Sequence, residues 1–111
     1  MTQTQQAALQ QVLTCSRALI SALHNASPQR HRGAEEVAEL VAKDEGRLRK
    51  AMATGEDKAI LLGLVYPSLD TRAADSLGGV DFDGDPFLHA PYLALVNSRM
   101  AARELFVWPD D

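Results

Sequence analysis

The sequence predicts an all-α fold: a small helical bundle built on an N-terminal antiparallel helical hairpin, with a proline-interrupted third helix and a C-terminal helix. Three observations carry this. Apolar residues recur at helical spacing along most of the 111 residues. Aromatic residues make up only 5%, so the core must be assembled from Leu, Val, Ile and Ala, a palette that favours helices over a β-sandwich. Proline and glycine fall between the periodic stretches, where helices end. The length suits a single helical domain, residues 1–111, large enough to fold alone without much margin.

The first helix is expected over residues 3–25, with Leu9, Val12, Leu13, Leu19, Ile20 and Leu23 on one face and Ser27-Pro28 as its stop. A polar connection, Gln29 to Gly33, leads to a second helix over 34–53 whose apolar face holds Val37, Leu40, Val41, Leu48, Ala51 and Met52. Glu35, Glu36 and Glu39 near its start and Arg47, Arg49 and Lys50 near its end complement the helix dipole. Gly46 costs it about 1 kcal/mol relative to Ala. Thr54-Gly55-Glu56-Asp57 has the form of a capping box opening a third segment, 55–77. Ile60, Leu61, Leu64, Val65 and Leu69 make that segment almost wholly apolar; Pro67 interrupts it, Ser68 can recap it, and Gly78-Gly79 stops it. Beyond a loop or short extended piece from Val80, Asp85-Pro86 pairs an N-cap with proline at the first helical position. Residues 86–107 are expected to be helical, with Pro91 opening a longer helix from Tyr92 to Val107, and residues 108–111 form a tail.

The hairpin also has an expected register. Antiparallel pairing of Leu9 with Met52, Leu13 with Leu48, Ile20 with Val41 and Leu23 with Val37 keeps the paired numbers totalling 60 or 61. The same rule sets Ser16 opposite Asp44, the two polar residues on otherwise apolar faces. They form a candidate structural polar pair, in which a hydroxyl offsets part of the cost of burying a carboxylate. The alternative is that Gly46 loosens the helix and Asp44 points into water.

Composition narrows the function classes. Cys15 is the single cysteine, which rules out an internal disulfide framework and a multi-cysteine zinc site. There is no basic leader ahead of an apolar stretch and no apolar run of the roughly 20 residues a membrane span needs, so the expected location is cytoplasmic. Residues 59–111 carry three Arg against eight acids, a balance that disfavours nucleic acid. The one basic cluster is Arg30-His31-Arg32 with Arg47, Arg49 and Lys50, which reads as solvated helix and loop faces. His24 and His31 flank the hairpin turn and are expected to face solvent. Cys15, with no His one turn away, reads as a buried inert thiol.

Two candidate sites emerge. The C-terminal stretch places Phe106, Trp108, Asp110 and Asp111 together, an aromatic anchor with acidic flanks. Leu93, Leu95, Leu105 and Phe106 spread around more than one side of the last helix, which implies a second buried surface in a partner or a twin subunit. The expected partner-binding residues are therefore Trp108, Phe106, Asp110, Asp111, Leu95 and Leu105. The other candidate is Asp81-Phe82-Asp83-Gly84-Asp85, which matches the first ligands of a calcium loop, with His89 as a further donor for a metal. The match breaks where Pro86 replaces the turn glycine and Tyr92 the bidentate Glu; Asp and Gly also form ordinary turns. The leading expectation is a non-enzymatic protein-interaction module (adaptor, chaperone, inhibitor or subunit of a larger complex) that binds another protein or itself and needs no cofactor. The alternative is a small metal-binding or enzymatic domain centred on residues 81–89.

Overall fold

The computed structural model describes residues 1–26, 29, 31–65 and 80–107. They form helices α1 (Gln3–His24), α2 (Ala34–Thr54), α3 (Asp57–Val65) and α4 (Pro86–Arg103), with no strand among the described residues. α1 packs against α2 and, more extensively, against α4, while α3 bridges α2 and α4, so the four helices close into a small bundle. The expected all-helical class holds.

α1 opens with a capping box. Thr2 Oγ1 accepts from the Gln5 N–H at 3.0 Å, and Gln5 Oε1 accepts from the Thr2 N–H at 2.9 Å. The sequence suggested such a box at Thr54-Gly55-Glu56-Asp57, but these residues do something else. Gly55, at φ +71°, is the left-handed C-cap of α2, and its N–H reaches the carbonyls of Ala51 and Met52. α3 therefore begins at Asp57. The expected continuation of this segment through Pro67, Ser68 and Leu69 to Leu77 lies outside the described residues, as do Ser27-Pro28 and Gly78-Gly79.

α4 corrects a second expectation. Pro91 lies inside one continuous helix instead of opening a new one. The single i→i−4 bond it removes would have ended on Phe87, an exposed residue whose carbonyl can be hydrated. The helix stops at Arg103, four residues before Val107, and the chain then turns so that Phe106 folds back into the core.

The core is aliphatic, as the composition requires. Leu9, Val12, Leu13, Leu19 and Leu23 of α1 meet Val37, Val41 and Leu48 of α2, with Ile60, Leu61 and Leu64 of α3 and Leu88 and Leu95 of α4. Val80 and Phe82 anchor the loop before α4, and the Phe82 ring stacks on Tyr92 with centroids 4.4 Å apart. Two polar contacts cross from α1 to α2: an ion pair from Arg17 Nε to Glu45 Oε1 at 3.1 Å, and His24 Nδ1 against Glu35 Oε2 at 3.2 Å. Their residue numbers total 62 and 59, one on either side of the expected register.

Ser16 and Asp44 are both buried, Asp44 to 5% exposure. Ser16 Oγ satisfies itself on its own helix, donating to Val12 O at 2.9 Å. Asp44 lies beside cations: Arg47 Nη1 is 3.8 Å away, and the buried Arg99 of α4 feels its charge. Arg99 donates from Nη2 to the carbonyls of Gly63 and Leu64, in the last turn of α3. One guanidinium thus caps the C-terminal end of α3 from a neighbouring helix. Burial lowers the Arg99 pKa from its usual value; Asp44 pulls it back up, and Arg47 adds to the depression.

Arg99→Leu is expected to destabilise the fold by about 2–4 kcal/mol, because it uncaps two carbonyls and strips a buried carboxylate of a cation. Asp44→Leu is likewise expected to destabilise the fold, since it leaves Arg99 buried beside Arg47 without its acid. Urea unfolding of both single variants and the double variant checks this: the double should cost clearly less than the two singles added together.

Candidate functional site

His31 lies in the short connection between α1 and α2, flanked by arginines in sequence, yet it is only 2% exposed. The expectation that it faces solvent is overturned by a partner 54 residues away: His31 Nε2 lies 2.8 Å from Asp85 Oδ2. The Asp81 N–H points at the other ring nitrogen, Nδ1, at 3.4 Å. With Nδ1 accepting, Nε2 carries the proton and donates it to the carboxylate. The other carboxylate oxygen, Asp85 Oδ1, accepts from the Phe87 N–H at 3.0 Å as the N-cap of α4. The backbone carbonyl of His31 accepts from the Ala34 N–H at the start of α2, where the N-cap Gly33 offers no side chain.

This pair helps line a cleft of about 430 Å³ between the end of α1 and the start of α4, together with Ala22, Asn25, Ala26, Phe87 and Leu88. The cleft is mostly apolar. Because both ring nitrogens of His31 are engaged by the protein, the imidazole has no ring nitrogen left to take a proton from a guest.

The candidate metal residues separate. Asp81 folds back onto its own loop, its Oδ1 accepting from the Gly84 N–H three residues on at 2.9 Å. A methyl group on Gly84 would displace that carboxylate and so cost the Asp81 contact. Asp83 is exposed, with His89 Nδ1 3.7 Å away, and Asp85 is turned inward to His31. Among the described residues no three His, Cys, Asp or Glu side chains converge as a metal site would require. The sequence put these carboxylates in one loop; the turn directs each of them elsewhere.

The partner-binding candidates also divide. Leu95 and Phe106 are buried in the core and cannot offer contact area to another molecule, because α4 turns that side towards α1 and the chain after Arg103 folds inward. Leu105 is partly exposed, and its carbonyl accepts from Gln5 Nε2 at 2.9 Å, tying the end of the chain to the start of α1. Trp108, Asp110 and Asp111 lie outside the described residues. Cys15 is buried, as expected of an inert thiol.

What faces outward from α4 is a different set. Phe87 is 86% exposed, Met100 56% and Leu93 41%, with Ala90, Ala94, Asn97 and Ala101 exposed between them. No exposed residue from Pro86 to Ala101 is charged. The contrast with α2 is sharp: there the exposed positions include Glu35, Glu36, Glu39, Lys43, Arg47, Arg49 and Lys50. Part of the basic cluster is neutralised within the fold, since Arg17 and Arg49 both reach Glu45 and Arg47 reaches Asp44. The exposed positions of α1 from Gln3 to Thr14 are uncharged too, but they are mostly Gln and Thr, whereas those of α4 include the large apolar Phe87, Leu93 and Met100. Two sequence signals pointed to it, Leu93 and a last helix apolar on two sides. Of the six expected contact residues, Leu95 and Phe106 turn inward because which side of the helix faces the bundle is set by packing with distant elements.

No helix among the described residues is long and apolar enough to cross a membrane. The chain matches no family model, no curated protein sequence and no solved structure.

Replacing His31 by Leu should cost about 2–4 kcal/mol, because it leaves Asp85 buried beside an apolar group. Asp85→Asn keeps both an N-cap and an acceptor for Nε2–H, so about 1 kcal/mol or less is expected. Chemical denaturation ranks them; equal losses would mean that the His31–Asp85 bond does not carry the stability assigned to it.

Proposed function

We propose that this chain is a non-enzymatic protein-interaction module whose docking surface is the outward face of α4. The observation that supports it is the uncharged stripe of Phe87, Leu93 and Met100 on a bundle whose α2 is densely charged on its outer side. Hydrophobic burial at about 25 cal/mol per Å² rewards covering such a stripe, and water rewards nothing there. An adaptor, chaperone, inhibitor or complex subunit would all use the surface in this way. Trp108, Asp110 and Asp111 join this reading through the sequence alone.

Leu93 and Met100 lie outside the buried core, so changing them should largely separate binding from stability. Leu93→Glu with Met100→Glu is expected to alter unfolding free energy by about 0.5 kcal/mol or less per site. A photo-crosslinking residue at Asn97 of the full chain, expressed in cells, should capture a protein, and the two Glu substitutions should abolish that adduct. The same residue at Gln10, on the exposed side of α1, serves as the control. Indistinguishable adducts from the two positions would remove α4 as the docking surface.

A further inference from the structure

We propose that the His31 ring is a proton-operated latch: neutral, it holds the loop before α4 to the connection between α1 and α2, and protonated, it releases that loop. The latch works through Nδ1, on the other side of the ring from the Asp85 bond. There the Asp81 N–H donates to the ring at 3.4 Å, which requires a bare lone pair. Histidine is the side chain whose charge ordinarily changes between about pH 5 and 8. A proton taken up at Nδ1 removes the lone pair and sets two N–H donors against each other. Turning the ring over does not relieve this, because both nitrogens of the cation are donors. The Asp81 carboxylate is committed to its own loop, its Oδ1 accepting from the Gly84 N–H at 2.9 Å. His31 is only 2% exposed, so water cannot replace the lost partner of the Asp81 N–H until the loop has moved.

The opposite edge of the ring responds differently. Nε2 lies 2.8 Å from Asp85 Oδ2 and donates in either charge state, and a cationic ring makes that bond stronger. Acid therefore breaks one contact of the ring and keeps the other. The start of α4 stays tied through Asp85, while the segment from Val80 to Gly84 loses its hold on His31. With it goes part of the support for Phe82, whose ring stacks on Tyr92. Other charged groups stand on the elements around the ring. His24 of α1 lies 3.2 Å from Glu35 of α2, Arg32 and Asp83 are exposed, and His89 Nδ1 of α4 lies 3.7 Å from Asp83. Both of these histidines can also take up a proton, so the test separates them from His31. The latch uses none of the outward side chains of α4 and stands or falls independently of the docking surface.

Nitrogen-15 NMR of the full chain at about pH 8 should find His31 with hydrogen on Nε2 alone. As the pH is lowered to about 5, exchange of the Asp81 amide, corrected for its intrinsic pH dependence, should speed up several-fold. Its midpoint should coincide with that of His31 protonation. The Phe87 amide, held by Asp85 Oδ1, should keep its protection over the same range. His31→Gln supplies a donor and an acceptor that do not titrate, so the response should vanish. His24→Gln and His89→Gln should leave it in place. If His31→Gln folds poorly, the coincidence of the two midpoints in the parent chain decides. Hydrogen on Nδ1 at the upper pH overturns the latch, as does a ring still neutral at the lower one. Asp81 protection that stays constant across the titration, follows His24 or His89 instead, or still responds in His31→Gln also overturns it.

Discussion

The hydrogen bond between His31 and Asp85 ties together the α1–α2 connection, the loop before α4 and the start of α4, three parts of the chain that aliphatic packing alone would locate less specifically. Through its side chain His31 reaches the start of α4 and the loop before it; through its carbonyl it supports the first turn of α2. Gly33 gives α2 no capping side chain, and the single cysteine allows no internal disulfide to locate the connection. A buried polar pair of this kind adds modest net stability but is costly to break, because either partner alone would be desolvated without compensation. It therefore acts more as a determinant of arrangement than as a source of free energy.

Arg99 plays the corresponding part further along α4. Asp85, Leu88, Tyr92, Leu95, Arg99 and Ala102 follow one another at steps of three and four, and all are buried or half-buried. That line carries a polar anchor near each end: Asp85 bonded to His31, and Arg99 bonded to the carbonyls of α3 and close to the charge of Asp44. Aliphatic contacts alone would tolerate a slightly rotated helix, because Leu, Ala and Met substitute for one another in a core at modest cost. Two directional anchors do not. They fix the rotation of α4 about its axis, and so they decide that Phe87, Leu93 and Met100 point outward. The interior polar groups and the exposed apolar stripe are in this sense one feature seen from two sides.

Much of the fold was legible because it depends on local rules. Leu9 to Leu23 and Val37 to Leu48 announced two amphipathic helices, Asp85-Pro86 announced a helix start, and the crossing pairs Arg17–Glu45 and His24–Glu35 lie on either side of the register read from the two apolar faces. Local rules also misled where two local functions compete for the same residues. Thr54-Gly55 fits both a C-terminus and an N-terminus, and the left-handed glycine decides for the former. Pro91 reads as a boundary but can be absorbed in the second turn of a helix that is already capped.

By itself the sequence determined the helical class, the aliphatic core, the hairpin and the presence of more apolar surface on the last helix than one core can cover. Those follow from periodicity and composition, which act over a few turns at most. The tertiary structure alone decided that His31 is buried against Asp85, that Asp44 lies beside cations, that Leu95 and Phe106 belong to the core, and that Phe87, Leu93 and Met100 stay exposed. Each of those outcomes depends on which side of a helix meets another element far away in sequence. A hydrogen bond across 54 residues, or a guanidinium capping a helix 35 residues back, has no periodic trace in the chain. It exists only when packing brings the two groups together and excludes the water that would otherwise serve both.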